Sequence, residues 1–360
     1  MSGRDPQLFA RIEAFRRRAG RVKQERIELA HGGGGKAMRD LLDDVVKREF
    51  GAQLQDREDQ ARLPLTEFSA LGTRLAFTTD SYVITPLEFP GGDIGRLAVN
   101  GTLNDLAVGG ARPLYLSCGL VIEEGLEVSV LRRILRSMAA AAEEADVRIV
   151  TGDTKVVPRG AADRLFINTA GVGVIRGDLD LGAHRIEAGD VVLVNGFLGD
   201  HGAAVLLARG ELQLNADVRS DCATLHGLVA ELLNEVELHS MRDLTRGGLA
   251  AVLNELALAS EVGMVVDAAA LPVRAEVSGL CELLGLDPVH LANEGKLVVV
   301  LPARAAERAL EIMRGHPLGR EAALVGRCTA SPPGLVTIDT GFGGERVLDM
   351  LVGEPLPRIC

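Results

Sequence analysis

The sequence predicts an α+β protein of two domains, and three observations support this prediction. Strand-like and helix-like apolar patterns interleave along the chain. The length of 360 residues is long for a single hydrophobic core. A segment rich in Gly and Asp, 176–190, has the composition of a domain boundary. We therefore expect a basic extension at 1–25, an N-terminal domain at 26–176, a C-terminal domain at 177–350 and a flexible tail at 351–360.

In the N-terminal domain, the predicted strands and helices alternate, and they place three acids near element ends. Asp80 is expected at the end of a strand, Asp105 in a helix and Asp153 directly after a strand. The predicted strands cover 26–30, 75–81, 114–122, 148–152 and 164–175, and the predicted helices cover 37–46, the region around 100–107 and 127–146.

In the C-terminal domain, the same alternation continues around a polar turn at 241–249 that opens a helix and has site-like chemistry. Strands are expected at 191–195 and 297–301 and near 323–328 and 335–348, and helices after 196–202 and at 221–236 and 303–315.

The composition is that of a folded protein in the cytoplasm. Hydrophobic residues make up 47% of the chain and charged residues 25%, as in globular domains. A net charge of −11, the absence of Trp and an aromatic content of 3% argue against a nucleic-acid partner. No apolar run has the length needed to cross a bilayer, and the first residues lack the apolar core of a secretion signal. We expect neither a nucleic-acid nor a membrane partner.

The number and spacing of the cysteines argue against both a disulfide framework and a zinc knuckle. They are odd in number, widely scattered and without a C-x-x-C pair. All but the last lie in apolar or helical stretches, where a cysteine usually serves as a small core residue. The five are Cys118, Cys222, Cys281, Cys328 and Cys360.

A run of glycines follows the first predicted strand. It ends in Lys36 but is not a P-loop, because Ala37 stands where that motif has the hydroxyl that binds magnesium. The backbone N–H groups of Gly33, Gly34 and Gly35 can still fold over phosphates. A flexible loop is the alternative interpretation.

The three acids and a nearby lysine predict a magnesium–nucleotide site. Asp80, Asp105 and Asp153 are residues that also commonly cap helices or form turns. Magnesium is usually held by a few carboxylates together with phosphate oxygens. Thr154 is included in this nucleotide site. Lys155 would neutralise phosphate charge or, if desolvated beside a cation, act as a base; a surface lysine is the alternative.

From the C-terminal domain, Glu294 is the expected partner of Lys155. A carboxylate alone would keep the lysine charged, so a base role requires Glu294 to accept the proton or a metal ion to outweigh it. His31 and His201 are weaker candidates, because a histidine in a loop or at a helix start is more often structural.

The tail carries a thiol at its tip. Pro355 and Pro357 favour an extended backbone, and Gly353 to Cys360 span roughly 25 Å when fully stretched. A frayed terminus with an accidental cysteine is the alternative. The α-carboxylate makes the thiol less acidic and Arg358 offsets this only in part, so the local charges do not indicate a nucleophile.

Eight segments together closely resemble the HypE family of hydrogenase maturation factors, within the PurM-like ATP-binding superfamily. The resemblance extends from about Ile27 to Cys360, although Leu244 stands where relatives often have Pro. Several segments are shared with the wider superfamily, but the terminal Pro-Arg-Ile-Cys is specific to this family. In order, the segments are His31-Gly-Gly-Gly-Gly, Phe77-Thr-Thr-Asp-Ser, Phe89-Pro-Gly-Gly, Thr151-Gly-Asp-Thr-Lys, Gly199-Asp-His-Gly, Thr245-Arg-Gly-Gly, Ala292-Asn-Glu-Gly-Lys and Pro357-Arg-Ile-Cys.

The resemblance implies a PurM-like fold, a homodimer whose N-terminal domains pair their sheets into a barrel, and ATP held near the interface. It also implies an ATP-dependent carbamoyl dehydratase. A partner carbamoyltransferase would load a carbamoyl group onto the Cys360 sulfur, ATP would phosphorylate the carbamoyl oxygen, and loss of phosphate would leave a thiocyanate. The cyanide would pass to iron on a scaffold complex for NiFe hydrogenase. By motif position, the three acids would hold Mg2+ and nucleotide, and Lys155 and Glu294 would transfer protons.

Three rival functions remain open at this point. Selenophosphate synthetase usually has a reactive Cys or selenocysteine near its Gly-rich loop, whereas no Cys precedes Cys118 here. Aminoimidazole ribonucleotide synthetase has no use for a terminal thiol. A carrier that only shuttles a ligand on its tail would show no ATP hydrolysis that depends on carbamoylated Cys360.

Overall fold

The structure is a computed structural model, and it describes residue 7 and the ranges 20–54, 60–210, 216–353 and 358–360. Most of the predicted basic extension, and both prolines of the predicted arm, lie outside the described residues. No helix in the described part of the chain has the length and apolar character needed to span a bilayer.

Strands and helices interleave along the described chain, as predicted. The strands are β1 (Arg74–Tyr82), β2 (Glu88–Phe89), β3 (Gly92–Asp93), β4 (Ala111–Glu123), β5 (Arg148–Val157), β6 (Leu165–Ile175), β7 (Asp190–Val194), β8 (Ser240–Asp243), β9 (Gly263–Asp267), β10 (Leu297–Pro302), β11 (Ala323–Thr329), β12 (Val336–Asp339) and β13 (Glu345–Val347). The α-helices are Lys36–Leu41, Lys47–Phe50, Leu65–Ser69, Ile94–Val108, Val128–Glu144, Asp200–Ala208, His226–Glu235, Gly248–Ser260, Ala275–Leu284 and Ala306–Gly315, and a π-helical turn, Leu42–Val46, joins the first two.

The first half of the chain forms a four-stranded mixed sheet in the order β1-β6-β4-β5. The β4–β5 pair is parallel and the other two pairs are antiparallel. Helices Ile94–Val108 and Val128–Glu144 bury apolar side chains in the core on one face of this sheet. The opposite face is open, as the exposure of Leu75 (61%) and Phe77 (72%) of β1 shows. Such a large uncovered apolar surface usually marks a contact with another protein.

The second half forms a seven-stranded sheet in the order β13-β12-β9-β11-β7-β10-β8 among the described residues. Neighbouring residues of β7 and β10 point to opposite faces and enter two different apolar clusters. Helix Gly248–Ser260 covers one face, and helices His226–Glu235 and Ala306–Gly315 cover the other. The sheet is therefore buried on both sides.

The two halves are joined by packed apolar side chains. Ala107 and Val108, at the end of the first-half helix Ile94–Val108, share a cluster with Leu193 of β7. Conversely, Val205 packs into the core beneath the first sheet. The two sheets fall on either side of the Gly/Asp-rich segment, and we propose to retain the domain boundary at 176–177.

Some details of the sequence prediction are wrong. The expected strand at 26–30 is a single bridge from Arg26 followed by a 3-10 turn at Leu29–Gly32. Within 26–30, only Ile27 forms backbone hydrogen bonds to a distant segment, at Gly125 and Leu126. Asp153 lies inside β5, since pairing with β4 continues to Val157. The helix predicted at 221–236 begins only at His226, and the strand predicted at 335–348 is the hairpin β12–β13.

Candidate active site

A cavity of about 690 Å³ lies between β5 and the helical segment that follows the Gly run. Gly34 and Gly35 line it, and a Cβ at either position would meet nothing within 4 Å, so the loop leaves room above its backbone. Gly33 precedes them and is not part of the wall. Cavities of this volume hold nucleotide-sized ligands. Apolar and cationic side chains share the lining, including Met38, Phe50, Val150, Arg39, Lys47, Arg62 and Arg148.

Asp153 and Thr154 also line this cavity, and Lys155 follows them. The Asp153 Oδ2 and Lys155 Nζ atoms form a 2.7 Å ion pair, with both side chains 64% exposed. Lys155 lowers the pKa of Asp153. The Thr154 side chain is buried, and its backbone N–H donates to Asp153 Oδ1 at 2.8 Å. Lys155 is therefore a paired surface cation in this conformation.

Strand register shows which face of the first sheet Asp153 shares with other residues. Residues paired across a sheet point to the same side. Asp153 pairs with Gly119, which pairs with Asn168, which pairs with Ser81. Asp153 therefore lies on the open face.

Asp80 lies on the other face of the same sheet. It pairs with Thr169, which is fully buried, and it accepts a hydrogen bond from the buried Tyr82 hydroxyl at 3.1 Å. Asp105, on the covering helix, accepts from Thr78 Oγ1 at 2.8 Å. Burial first, and then the charge of Asp80, raise the pKa of Asp105.

A single chain therefore does not bring the three predicted acids together. Asp80 and Asp153 occupy opposite edges and opposite faces of the sheet, and three interstrand spacings separate their strands by about 14 Å. In the part of the chain that the structure describes, no group of three acidic, histidine or cysteine side chains is arranged to hold a metal ion.

Glu294 lies on the same side as Asp80 and Asp105, at the junction of the two halves. Its loop is fixed because Asp221 accepts from the Glu294 N–H at 3.0 Å and Asn104 Nδ2 donates to the Glu294 carbonyl at 3.3 Å. The side chain is 2% exposed, and its Oε1 has no hydrogen-bond partner among the described residues. Burial, followed by the charges of Asp221 and Asp243, raises the pKa of Glu294 well above its ordinary value. Burial and the neighbouring acids therefore both favour the protonated form of this carboxyl.

Asp243, at the end of β8, is a site residue that the sequence reasoning did not name. Burial and the charges of Asp105 and Asp80 raise its pKa to about 7. The only signal was the stretch predicted as a polar turn, 241–249, which contains Asp243. The prediction was wrong for 241–243, which belong to β8, and it could not show proximity to acids more than a hundred residues away. We call Asp80, Asp105, Asp243 and Glu294 the acid group, because the charge of Asp80 raises the pKa of each of the other three.

The last three residues are docked directly after β1, the strand that carries Asp80. The Val83 N–H donates to a Cys360 backbone oxygen at 3.2 Å, and the Thr85 N–H donates to the Arg358 carbonyl at 3.4 Å. Ile359 is 3% exposed and belongs to the central apolar cluster, against which Cys360 also packs. The Cys360 backbone is thus held at Val83, the residue after Tyr82, a side chain whose own pKa is raised by burial, Asp80 and Glu294.

The other four cysteines are buried, as the sequence predicted. Burial raises the pKa of Cys118 and Cys328 to about 12 and that of Cys281 to about 11, and it also raises the pKa of Cys222. Because a thiolate is the reactive form, these four thiols are poor nucleophiles.

The two histidines considered as weak candidates are both buried, but only one contacts the tail. His31 Nδ1 accepts from the Glu28 N–H at 2.9 Å within its own turn. The Nε2 atom of His201 lies 2.7 Å from the Ile359 carbonyl oxygen. Sequence spacing gave no sign of this contact, because the two residues are 158 positions apart.

The chain matches two family models, the AIR synthase related protein N-terminal domain at residues 58–175 and the corresponding C-terminal domain at 187–339. It is 57% identical to the carbamoyl dehydratase HypE of Rhodobacter capsulatus, over 94% of this chain and 99% of that protein. It is also similar to the hydrogenase maturation protein HypE solved in complex with ATP, with a TM-score of 0.87 and 48% identity over 92% of this chain and 99% of that one. A HypE–HypF complex matches with a TM-score of 0.75 and 48% identity, over 77% of this chain and 90% of that one.

Proposed function

The chain belongs to the HypE family of AIR synthase related proteins, and we propose that it is an ATP-dependent carbamoyl dehydratase whose substrate is a carbamoyl group on its own Cys360. The observation that carries this proposal is the docked C-terminus, whose backbone is held at Val83 and Thr85, directly after the strand that carries Asp80. The high pKa of the other thiols leaves Cys360 as the carrier.

The proposed reaction has two steps. The carbamoyl oxygen attacks the γ-phosphorus of ATP, so that an O–P bond forms and ADP leaves with the bridging oxygen. The carbamoyl nitrogen then loses its two protons, the C–O bond breaks and phosphate departs, which leaves a thiocyanate on the Cys360 sulfur. The net change at the cysteine is the loss of one water, and ATP hydrolysis drives it. Protein side chains contribute by positioning and by neutralising charge, as in other phosphoryl transfers.

Glu294 is the side chain that we propose accepts a proton from the carbamoyl nitrogen. A carboxyl whose pKa is raised is a stronger base once it is ionised, so burial suits this role. Exclusion of water from the site also protects the phosphorylated intermediate from hydrolysis.

Asp80 and Asp105 are the residues that we propose would hold Mg2+ with the nucleotide. Their hard carboxylate oxygens fit this ion, and the charge of Asp80 raises the pKa of both Asp105 and Asp243, a repulsion that a cation would relieve. The ion would supply positive charge for the phosphate oxygens. Asp153, on the other face, would serve this site only from a second copy of the chain.

We propose that the chain forms a homodimer through the open face of the first sheet. The open face of the first sheet carries exposed Leu75 and Phe77 beside the row that ends in Asp153, and pairing two such faces would bury both. We propose that ATP occupies the cavity at β5, with Gly33, Gly34, Gly35 and Thr154 beside its phosphates, and that Lys155 of one copy serves the tail of the other.

Two protein partners complete the proposal. A HypE similar to this chain has been solved with HypF, which supports a partner that loads the carbamoyl group, and we propose that this partner is a carbamoyltransferase. The thiocyanate would then deliver cyanide to iron on a scaffold complex during NiFe hydrogenase maturation. We propose the cytoplasm as the compartment, because ATP is available there and thiols stay reduced.

Mass analysis of the C-terminal peptide tests the function directly. After incubation with ATP and the carbamoyl donor system, the peptide should gain a carbamoyl group and then lose one water. Wild-type protein without ATP should stop at the carbamoyl adduct. A carrier without catalysis would show the adduct but no loss of water and no ATP consumption that depends on it, which would contradict the proposal.

A further inference from the structure

His201 contacts the docked tail through a short chain of hydrogen bonds. Its Nε2 atom is 2.7 Å from the Ile359 carbonyl oxygen, and its Nδ1 atom is 2.8 Å from Ser220 Oγ. The ring is fully buried and packs edge-on against Phe89, with the ring centroids 5.4 Å apart and the planes at 86°. The histidine is therefore held in one orientation from three sides.

The hydrogen-bond chain also fixes the direction of each bond. The Ile359 carbonyl oxygen can only accept, so the proton of a neutral His201 ring lies on Nε2. The Nδ1 atom then accepts from the Ser220 hydroxyl, whose oxygen also accepts from the Cys222 backbone N–H at 3.1 Å. A neutral imidazole that accepts at Nδ1 carries its proton at Nε2. Burial lowers the pKa of His201, which favours this neutral form. His201 consequently donates its Nε2–H to the carbonyl between Ile359 and Cys360.

We propose that His201, oriented by Ser220, is the positioning residue that fixes the Ile359–Cys360 peptide and thereby sets where the terminal sulfur lies. We call the contact of His201 and Ser220 with the Ile359–Cys360 peptide the latch. Its effect on dehydration rests on the proposed function, but the docking of the tail by these residues does not. Other side chains also hold the docked tail. Arg209 donates from its guanidinium to the Arg358 carbonyl at 3.0 Å, and Arg358 forms an ion pair with Asp163.

The latch also explains why the tail ends in a specific sequence. Arg358 forms an ion pair with a carboxylate, Ile359 packs in an apolar cluster, and the Ile359 carbonyl accepts a hydrogen bond from the histidine. A flexible arm with any cysteine at its tip would lack these contacts. Because the arm must also leave this position to meet its partners, the contacts have to be few and reversible.

Carboxypeptidase treatment of the full-length protein, without ATP or carbamoyl donor, tests the latch. The rate of release of Cys360 is followed by intact mass, since only an undocked terminus enters the protease. His201→Leu should accelerate release on the order of tenfold, because a buried carbonyl loses its donor. His201→Gln, which retains an N–H donor, should restore a rate near wild type. Ser220→Ala should accelerate release less than His201→Leu.

His239→Leu is the matched control. His239 is also buried, and it bonds Asp190 at 2.7 Å in the second half of the chain. This variant should leave the release of Cys360 unchanged even if it lowers the melting temperature. Equal release from wild type and His201→Leu, equal acceleration by His201→Leu and His201→Gln, or equal acceleration by the His239 control would each overturn the latch.

The dehydration reaction supplies a separate readout. In carbamoylated protein, His201→Leu should lower the rate of water loss at saturating ATP while ATP affinity is unchanged, and His201→Gln should recover it. If wild-type protein consumes no ATP on carbamoylation, the proposed function fails, and the protease assay still decides the latch.

Discussion

Replacing Asp243 with Asn should stabilise the metal-free protein at neutral and alkaline pH. Asp243 is 9% exposed, and its pKa is raised from 3.8 to about 7 by burial and then by the charge of Asp105. Asparagine has nearly the same shape but does not ionise. The variant therefore removes the cost of a buried negative charge and changes little else.

The sign and size of the effect follow from proton linkage. Between pH 4 and pH 7 the folded protein keeps a proton on Asp243 that the unfolded chain has already lost, so stability falls as the pH rises. Above about pH 7 the folded carboxyl ionises as well, and the loss reaches its maximum. The difference between the two pKa values corresponds to at most about 4 kcal/mol. In the Asn variant, this contribution to the pH dependence of the free energy of unfolding should be absent.

Urea unfolding of both proteins from pH 4 to pH 9, in the presence of a chelator, measures the effect. The variant should match wild type near pH 4 and exceed it by up to about 4 kcal/mol near pH 8. Asp178→Asn, at a side chain that is 78% exposed, is the control and should give no such divergence. A constant difference at all pH values, or a variant less stable than wild type at pH 8, would refute the argument from buried charge.

Three further substitutions test the proposed site. Cys360→Ala should keep the fold and ATP binding but give no product, and cyanide delivery at the wild-type rate would rule out the arm mechanism. Glu294→Gln should lower the rate of dehydration about 10²- to 10⁴-fold, as expected for a lost base, and wild-type kinetics in mass analysis would exclude that role. Phe77→Asp, at a residue that is 72% exposed, should yield monomers in analytical ultracentrifugation, whereas the control Leu258→Asp, at a residue that is 60% exposed, should not. An unchanged dimer would show that the open face is not the contact.

Local pattern was sufficient for most of the fold. Helix Val128–Glu144 and strand β6 were predicted within two residues at each end, because long apolar periods are encoded locally. The errors lie where contacts with residues distant in the sequence determine the local structure. Residues 26–30 look like a strand but find only a short bridge, and residues 221–225 look helical but are tied to the loop that carries Glu294.

The candidate site was predictable in its residue types and not in its geometry. Gly34 and Asp153 do line one cavity, as their motifs suggested. The assignment of Asp153 to the same site as Asp80 failed for a single chain, because strand order and facing are set by sheet pairing rather than by spacing. Asp243 was missed for the same reason, since its importance comes from acids on another sheet and helix.

The separation of Lys155 from the tail leads to a test of how the site is assembled. Cys360 is docked beyond the end of β1 and Lys155 lies on β5, at the other edge of the first sheet. If Lys155 serves its own tail, a mixed dimer of Lys155→Ala and Cys360→Ala chains has no working site. If it serves the tail of the other copy, each mixed dimer has one intact site, because the chain that keeps Cys360 faces the chain that keeps Lys155. We therefore expect each variant alone to stall at the carbamoyl stage or earlier, and the unfolded and refolded mixture to form thiocyanate. Mass analysis that finds no dehydrated cysteine in mixed dimers, confirmed as such by differential tags, would assign Lys155 to its own chain, whereas thiocyanate on the Lys155→Ala variant alone would remove Lys155 from the reaction.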